Sequence, residues 1–426
     1  MGVAEEFEEF VKNLQIVRQD KFSLRYGEIT NALNKKYRDV ESKTNYRLQV
    51  GSYGRWTGIK GISDLDMIFI MPSSAWDDYK DGGQSKLLKD AKTAIANRYP
   101  TTNMKVDRCV VRAEYSDFHV EVQPAFQQAD GSFTYPDTYD TGSWKTTKPR
   151  LEIEEIKTKN EEKNRNLRRL CKMARAWKNK HGVPLGGLLI DTLAYNFLCS
   201  TEEYDERGWL WYDFMSRDFF EYLKDETDKA YYQALGSKQH VKVRKKFQKK
   251  AKKAYELSLD AIAATTDATR RSRWRKVYGS AYPAPQKLEK AAYDAVFKQT
   301  EEFIEDRFPV DIRYNIELDC TVTQNGFRAA TLMEMLTRGT PLLPKKDLRF
   351  QIVRDNLPHG CIIFWKVLNT GPIAERRDQI RGQIVSDGGG RGKTEKSSFR
   401  GEHIVEVYAV SNGVVVARDE ILVPIS

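Results

Sequence analysis

Apolar residues recur every three or four positions at Phe7, Phe10, Val11 and Leu14, and again at Ile29, Leu33 and Tyr37, which predicts one or two amphipathic helices at the start of the chain. The period then shortens. Leu48–Val50, Met67–Met71, Val106–Ala113 and Phe118–Val122 are short and rich in β-branched residues, the pattern of strands, with helical spacing over Lys86–Arg98 between the second and third. Asp130–Pro149, full of Gly, Thr, Pro and Trp, is expected as a loop closing this sheet region. From Glu152 to about Tyr278 the spacing is helical again: Leu167, Leu170, Cys171, Ala174 and Trp177 form one stripe, and "VPLGGLLIDTLAYNFL" predicts a turn followed by a buried helix. A further helix is expected over "KVRKKFQKKAKKAYEL", with Val243, Phe247, Ala251 and Ala254 on one face beneath eight basic side chains that form a solvated face. "YGSAYPAPQ" marks a boundary, and Leu288–Arg307 predicts one more helix. Beyond it come "DIRYNIELDCTVT", "DLRFQIV", "GCIIFWKVLN" and "HIVEVYAVSNGVVVARDEILVPI", all strand-like, with Asn412-Gly413 between apolar runs as a strong hairpin signal. Residues 309–426 are therefore expected as a separate β-sandwich.

With 426 residues the chain exceeds one ordinary core and suits two or three domains, and its 40% apolar and 11% aromatic content favours folded structure throughout. No run approaches the roughly eighteen apolar residues that span a bilayer. The start, "MGVAEEFEEFVKNL", is acidic and amphipathic, unlike a secretory signal, and the sixth residue does not complete a myristoylation pattern. Five scattered cysteines, Cys109, Cys171, Cys199, Cys320 and Cys361, with no C-x-x-C, point to reduced thiols in a cytoplasm and away from a structural zinc site. The formal charge of +10 favours polyanionic partners, and nucleotides qualify as readily as nucleic acid.

Chemistry concentrates in "LQVGSYGRWTGIKGISDLDMIFIMP". Side chains alternate along a strand, so Asp64 and Asp66 share one face, roughly 6.5 Å apart, while Leu65 and Met67 enter the opposite layer. Two like charges so placed repel unless a hard divalent cation such as Mg²⁺ takes their oxygens. A two-metal site needs a further acid, and in "DFHVEVQPAF" Glu121 lies on the same face as His119 and Gln123, able to meet the Asp pair across a sheet. His119 is expected as a polar neighbour. The His119-x-Glu121 spacing also opens the zinc-deaminase signature, but no P-C-x-x-C follows. The Gly51-Ser52 turn leaves backbone N–H groups and a hydroxyl to receive a phosphate, with Arg55 and Lys60 as nearby charge. Metal beside a phosphate cradle indicates phosphoryl or nucleotidyl transfer. P-loop and dinucleotide-fold motifs are absent.

These residues resemble the polymerase-β-type nucleotidyltransferases and, within them, the bacterial cGAS/DncV-like enzymes (CD-NTases) of the SMODS group. "VEVQPAF" resembles that family's third-acid strand, "GSWKTTKPR" its nucleotide-proximal loop, "LRRLCKMARAWKNKHGVPLGG" the helix that brings a lysine to the triphosphate and the turn after it, and "WRKVYGSAYP" the end of the helical half. The resemblance spans about residues 5 to 285. It implies an α+β fold: a polymerase-β-type core (1–150, with the N-terminal helix), a helical domain completing the nucleotide cleft (151–285), and a linker helix with a C-terminal β-sandwich (286–426). It implies that Asp64, Asp66 and Glu121 are catalytic and bind two Mg²⁺ ions, with Mn²⁺ as an alternative, that Gly51 and Ser52 bind the triphosphate, and that Lys172 meets its outer phosphates. Gly187 is placed in the nucleotide site. The third acid is Glu121 where Asp is usual, one methylene longer and expected to shift the metal and weaken or retune activity. Gly187 and Leu188 stand where many members have Ser and a base-stacking aromatic.

The last block, with "FIEDRFPVDIRYNIELDC", "NGFR" and "FWKVLNTG", is similar to the AGS-C domain, proposed as a sensor in such cyclases. Trp365, Lys366, Asn369, Arg381 and the Ser386–Ser398 loop are candidates for a ligand of this domain, against the alternative of sandwich core and hairpin. The resemblance implies a cytoplasmic enzyme that joins ATP and GTP, or other nucleoside triphosphates, into a cyclic oligonucleotide and releases pyrophosphate. In antiphage (CBASS-like) signalling its product would reach an effector protein, with nucleic acid not required and no membrane. The rivals are nucleotidyl transfer to RNA, protein or a small molecule, and a nucleotide-binding sensor with little or no catalysis.

Overall fold

Alternation of Leu65, Met67 and Phe69 with Asp64, Asp66 and Ile68 sets the frame of the amino-terminal half, because it gives strand β2 (Asp64–Ile70) one fully buried face. The structure, a computed structural model, describes residues 2–285, 302–323, 329–369, 372–377 and 381–426, apart from Arg18 and Asp117. They form two compact units, Val3–Arg175 with Gly186–Gln248, and Ala176–Leu185 with Lys249–Ser426. The helices expected as one middle domain are divided between the two. Among the described residues no helix is long and apolar enough to cross a membrane.

The first unit opens with α1 (Val3–Asn13) and α2 (Gln19–Arg38), as the apolar spacing predicts. Its sheet comprises β1 (Arg47–Gln49), β2, β3 (Asn103–Asp107), β4 (Val110–Glu114), β5 (His119–Gln127), β6 (Phe133–Asp137) and β7 (Ser143–Thr147). The order is β1-β2-β5-β4-β3, with β6 and β7 continuing from β5. All pairs are antiparallel except β2 with β5, which runs parallel. Two expectations are corrected. Val106–Ala113 is not one strand, because Arg108 adopts φ 50° and reverses the chain between β3 and β4. Asp130–Pro149 is not simply a loop but carries the β6–β7 hairpin, turned at Asp140 and Gly142, both with positive φ.

A helical turn, α3 (Gly51–Gly54), follows β1, and α4 (Gln84–Arg98) joins β2 to β3. Phe22, Tyr26 and Leu33 of α2 and Leu87, Leu88 and Ile95 of α4 share one core with Leu65, Met67, Phe69, Val120 and Val122. One face of the sheet is thus covered by helices. On the other face Ile68 and Ala125 pack against Phe133, while the starts of β2 and β5 carry charge. Helices α5 (Pro149–Glu162), α6 (Asn166–His181), α7 (Gly187–Cys199) and α8 (Tyr212–Asp225) follow. A two-stranded hairpin, β8 (Tyr231–Gln233) with β9 (His240–Lys242), interrupts the helical region where only helix was expected.

In the second unit α9 (Gln248–Ile262) begins six residues later than the basic run predicts, and α10 (Asp267–Tyr278) follows. Phe247, Ala251 and Ala254 are buried as expected. The basic face is partly neutralised rather than wholly solvated: Lys250 pairs with Asp419 at 3.2 Å and Lys253 with Glu420. Of the helix expected over Leu288–Arg307, residues up to 301 lie outside the described set, and Ile304–Arg307 is helical.

The carboxy-terminal residues form the expected sandwich. One sheet is ordered β11 (Ala330–Thr331), β10 (Ile316–Thr323), β12 (Asp347–Asp355), β15 (Gly392–Lys396), and the other β14 (Arg381–Ser386), β13 (Ile362–Asn369), β16 (Gly401–Ser411), β17 (Val414–Ile425). Leu318, Cys320 and Phe350 from the first meet Trp365, Val407, Val416 and Ile421 from the second in a single core. Asn412 (φ 49°) and Gly413 (φ 73°) make the turn between β16 and β17, the doubly left-handed geometry a tight hairpin demands.

Candidate active site

Register on the sheet assembles the acidic residues. Asp64 is the parallel partner of His119 and Asp66 that of Glu121. Across the next pairing His119 faces Glu114 and Glu121 faces Arg112, and beyond these lie Asn103 and Lys105. One row therefore runs Asp66, Glu121, Arg112, Lys105: two acids followed by two bases on a single face. Directly neighbouring like charges cost stability unless something neutralises them.

Glu121 is neutralised within the protein. Its Oε1 accepts from Arg112 Nη2 at 2.7 Å and lies 3.1 Å from His119 Nε2. Burial pushes the carboxyl pKa up, but His119 and Arg112 outweigh burial and hold it at about 2. His119 is thus the polar neighbour expected of it.

The Gly-Ser turn lies against Asp66. Val50 N–H donates to Asp66 O at 3.1 Å, and Tyr26 Oη donates to the same oxygen at 3.1 Å. Gly51 has φ +65°, and a Cβ built on it would sit 1.9 Å from Asp66 Oδ2. Only glycine fits that approach. Ser52 O accepts from Thr57 N and Gly58 N, both at 3.0 Å, which fixes the turn.

Arg55 does not serve as phosphate charge, contrary to expectation. It is buried and donates from Nε to Asp191 Oδ2 at 2.8 Å, with Glu152 at 3.4 Å. Asp191 also accepts from Arg175 Nη1 at 2.6 Å and Thr57 Oγ1 at 2.9 Å. Burial alone would raise the Asp191 pKa, but Arg175 and Arg55 lower it and keep the carboxylate charged. Two arginines and a threonine hydroxyl thus compensate one enclosed charge and tie α3, α6 and α7 together. Sequence reasoning missed Asp191, although a lone acid inside "GLLIDTLAYNFL" was its visible signal. Lys60 is exposed, its N–H donating to Leu14 O at 2.8 Å.

Lys172 is half-buried on α6, one turn from Arg168, whose Nε donates to Arg55 O at 3.2 Å just after the Gly-Ser turn. Burial, with Arg168 and Arg175 nearby, lowers its pKa. Gly187 opens α7, and its carbonyl accepts from Arg175 Nη2 at 3.0 Å. The next residue, Leu188, lines a cleft of about 270 Å³ with Gly51, Ile68, Gln123, Glu152 and Gln239. Gln239, in the β8–β9 hairpin and also missed, is fixed to the end of β7 by Thr146 O and Lys148 N, both at 3.0 Å. A second cleft of about 290 Å³, lined by Asp228, Lys229, Tyr232, Arg244 and Lys246, contains none of Asp64, Asp66 and Glu121.

The donors suit a hard divalent ion, being carboxylates on one sheet face, with Gly51 leaving room for the Asp66 carboxylate itself. Among the described residues, however, no three acid, histidine or cysteine side chains are gathered tightly enough to hold one ion, and Glu121 is engaged by Arg112 and His119. In the carboxy-terminal unit Trp365 is core, Lys366 pairs with Glu406 at 3.2 Å, and Arg381 forks onto Glu395 at 2.7 and 3.0 Å. Within Ser386–Ser398, Gly392–Lys396 is strand β15, preceded by a turn in which Asp387 accepts from Gly389 N and Arg391 N.

Comparison with known proteins agrees with this architecture. Residues 1–160 match the family model of the second messenger oligonucleotide or dinucleotide synthetase (SMODS) domain, and residues 298–426 that of the adenylyl/guanylyl and SMODS C-terminal sensor domain. The E. coli MS115-1 CdnC:HORMA-deltaN complex superposes with TM-score 0.52 at 15% identity, over 66% of this chain and 98% of that one. Vibrio cholerae DncV cyclic AMP-GMP synthase, a prokaryotic cGAS homolog, gives 0.45 at 13% identity, over 56% and 69%. No curated protein sequence matches the chain. The two domain matches define the class of protein, a SMODS domain followed by its C-terminal sensor domain. The chain belongs to the cGAS/DncV-like CD-NTases, with an AGS-C sensor domain at its carboxy terminus.

Proposed function

We propose that the protein is a Mg²⁺-dependent nucleotidyltransferase that joins ATP and GTP into a cyclic oligonucleotide, the signalling step of a cytoplasmic antiphage pathway with its own effector. The observation that carries this reading is the in-register pair Asp66–Glu121, with Asp64 on the same face and Gly51 against Asp66. Asp64, Asp66 and Glu121 would hold the ions, Mn²⁺ being an alternative. Bound there, such ions supply positive charge for the triphosphate and the leaving pyrophosphate. The Gly51-Ser52 turn binds phosphate oxygens, and Lys172 offsets their charge. A carboxylate of the row takes the proton of the attacking sugar hydroxyl as its oxygen bonds to the α-phosphorus and pyrophosphate departs. Leu188, Gln123 and Gln239 line the cleft beside Gly51 and are placed to meet base or sugar.

A second reading, a nucleotide-binding sensor without turnover, is favoured by the engagement of Glu121 with Arg112. Incubating the protein with four labelled triphosphates and Mg²⁺, beside an Asp64→Ala/Asp66→Ala variant, tests both. Pyrophosphate release and a phosphatase-resistant product that vanish in the variant support the cyclase. Label on RNA or protein would transfer the activity to another acceptor, and tight ATP binding with no pyrophosphate would select the sensor.

A further inference from the structure

We propose that Arg112 is a positioning residue that draws Glu121 away from Asp64 and Asp66 and thereby sets the affinity of the acidic face for a divalent cation. The inference rests on the nucleotidyltransferase reading and deepens it. Strand β5 lies between β2 and β4, so Arg112 on β4 is on the side of Glu121 opposite Asp66. The pull on Glu121 Oε1, at 2.7 Å from Arg112 Nη2, is directed away from the Asp pair.

Three details make the grip reversible. Arg112 uses one nitrogen, Nη2, for both Glu121 at 2.7 Å and Asp107 Oδ2 at 2.9 Å, so it does not form the two-pronged fork that makes arginine–carboxylate pairs strong. Its Nε is buried without a hydrogen-bond partner, a cost that a rearranged side chain would relieve. Asp107, at the end of β3, is about half exposed and provides a second carboxylate to which Arg112 can retreat. A cation between Asp66 and Glu121 thus competes with a guanidinium for the same oxygen. While engaged, the guanidinium also opposes the cation by its charge.

The test measures Mn²⁺ binding by loss of the free-ion electron paramagnetic resonance signal, without nucleotide, in the full-length protein. Arg112→Met, which removes charge and donors at similar length, is expected to tighten binding about tenfold, the size of one charge-assisted contact. Arg112→Lys, which keeps the charge without the planar fork, should fall between the two, and it carries the test if the Met variant does not fold by circular dichroism. In an Glu121→Gln background the gain from Arg112→Met should largely disappear. Unchanged or weaker binding in Arg112→Met, or an equal gain in both backgrounds, overturns the positioning role while the nucleotidyltransferase reading survives on wild-type binding. Failure of wild type and Arg112→Met alike to bind Mn²⁺ overturns both.

Discussion

Substituting Gly51 by alanine separates a conformational cost from a collision. Gly51 has φ +65° and Gly82 has φ +74°, so either substitution forces alanine into the left-handed region at about 1 kcal/mol. They differ in surroundings. A Cβ on Gly82 meets nothing within 4 Å, whereas one on Gly51 sits 1.9 Å from Asp66 Oδ2, about 1.5 Å short of an ordinary 3.4 Å contact. Relief requires the Asp66 carboxylate or the turn to move by that amount, and misplacing a catalytic group by about 1 Å costs on the order of 100-fold. Urea unfolding and pyrophosphate release are measured for both variants. Each should lose about 1 kcal/mol of stability or somewhat more, with Gly82→Ala keeping near-normal turnover and Gly51→Ala losing roughly 100-fold. Turnover of Gly51→Ala within about threefold of Gly82→Ala would refute the placement of this turn in the site.

Asp191→Asn should cost about 3–5 kcal/mol in urea unfolding, because it removes the buried counter-charge of Arg175 and the nearer of the two acids that pair with Arg55; a loss below about 1 kcal/mol would contradict that role. His181 is buried with Nε2 3.0 Å from Val277 O, and burial lowers its pKa from 6.5 to about 3. Above pH 6.5 it is neutral folded or unfolded; below, the unfolded chain takes the proton first, so stability falls by about 1.4 kcal/mol per pH unit down to pH 3. Between pH 7.5 and 5 the wild type should thus lose about 2 kcal/mol more than His181→Gln, seen as diverging urea midpoints. Gly182→Ala, whose Cβ would lie 2.1 Å from Arg418 O at φ +60°, should lower the thermal midpoint well below that of Gly131→Ala, which has open space at φ +79°.

Strand alternation around Asp64–Asp66, helical spacing in α1 and α2, and the Asn412-Gly413 turn were legible because each is a local pattern with a local cause. The in-register placement of Asp66 beside Glu121 followed from the same alternation on two strands. What escaped depends on partners distant in sequence. The strands β6 and β7 are short, with Pro136 inside the first and Gly142 in the turn between them, so composition marked a loop. Three-residue strands β8 and β9 lack any period to detect. Arg55 looked like phosphate charge because it follows the Gly-Ser turn, but its acceptors lie far along the chain at Glu152 and Asp191. Likewise Lys250 and Lys253 find Asp419 and Glu420, pairings that no charge count reveals.

The enclosed Asp191 cluster bears on how loss-of-function screens of this protein will sort. Thr57, Arg55 and Arg175 all meet Asp191 beside the Gly-Ser turn, so null alleles in this cluster should accumulate as readily as at Asp64 or Asp66. The two groups should differ in abundance: cluster alleles should deplete soluble protein in the cell, whereas alleles of Asp64 and Asp66, on the proposed reading, should leave it plentiful and silent.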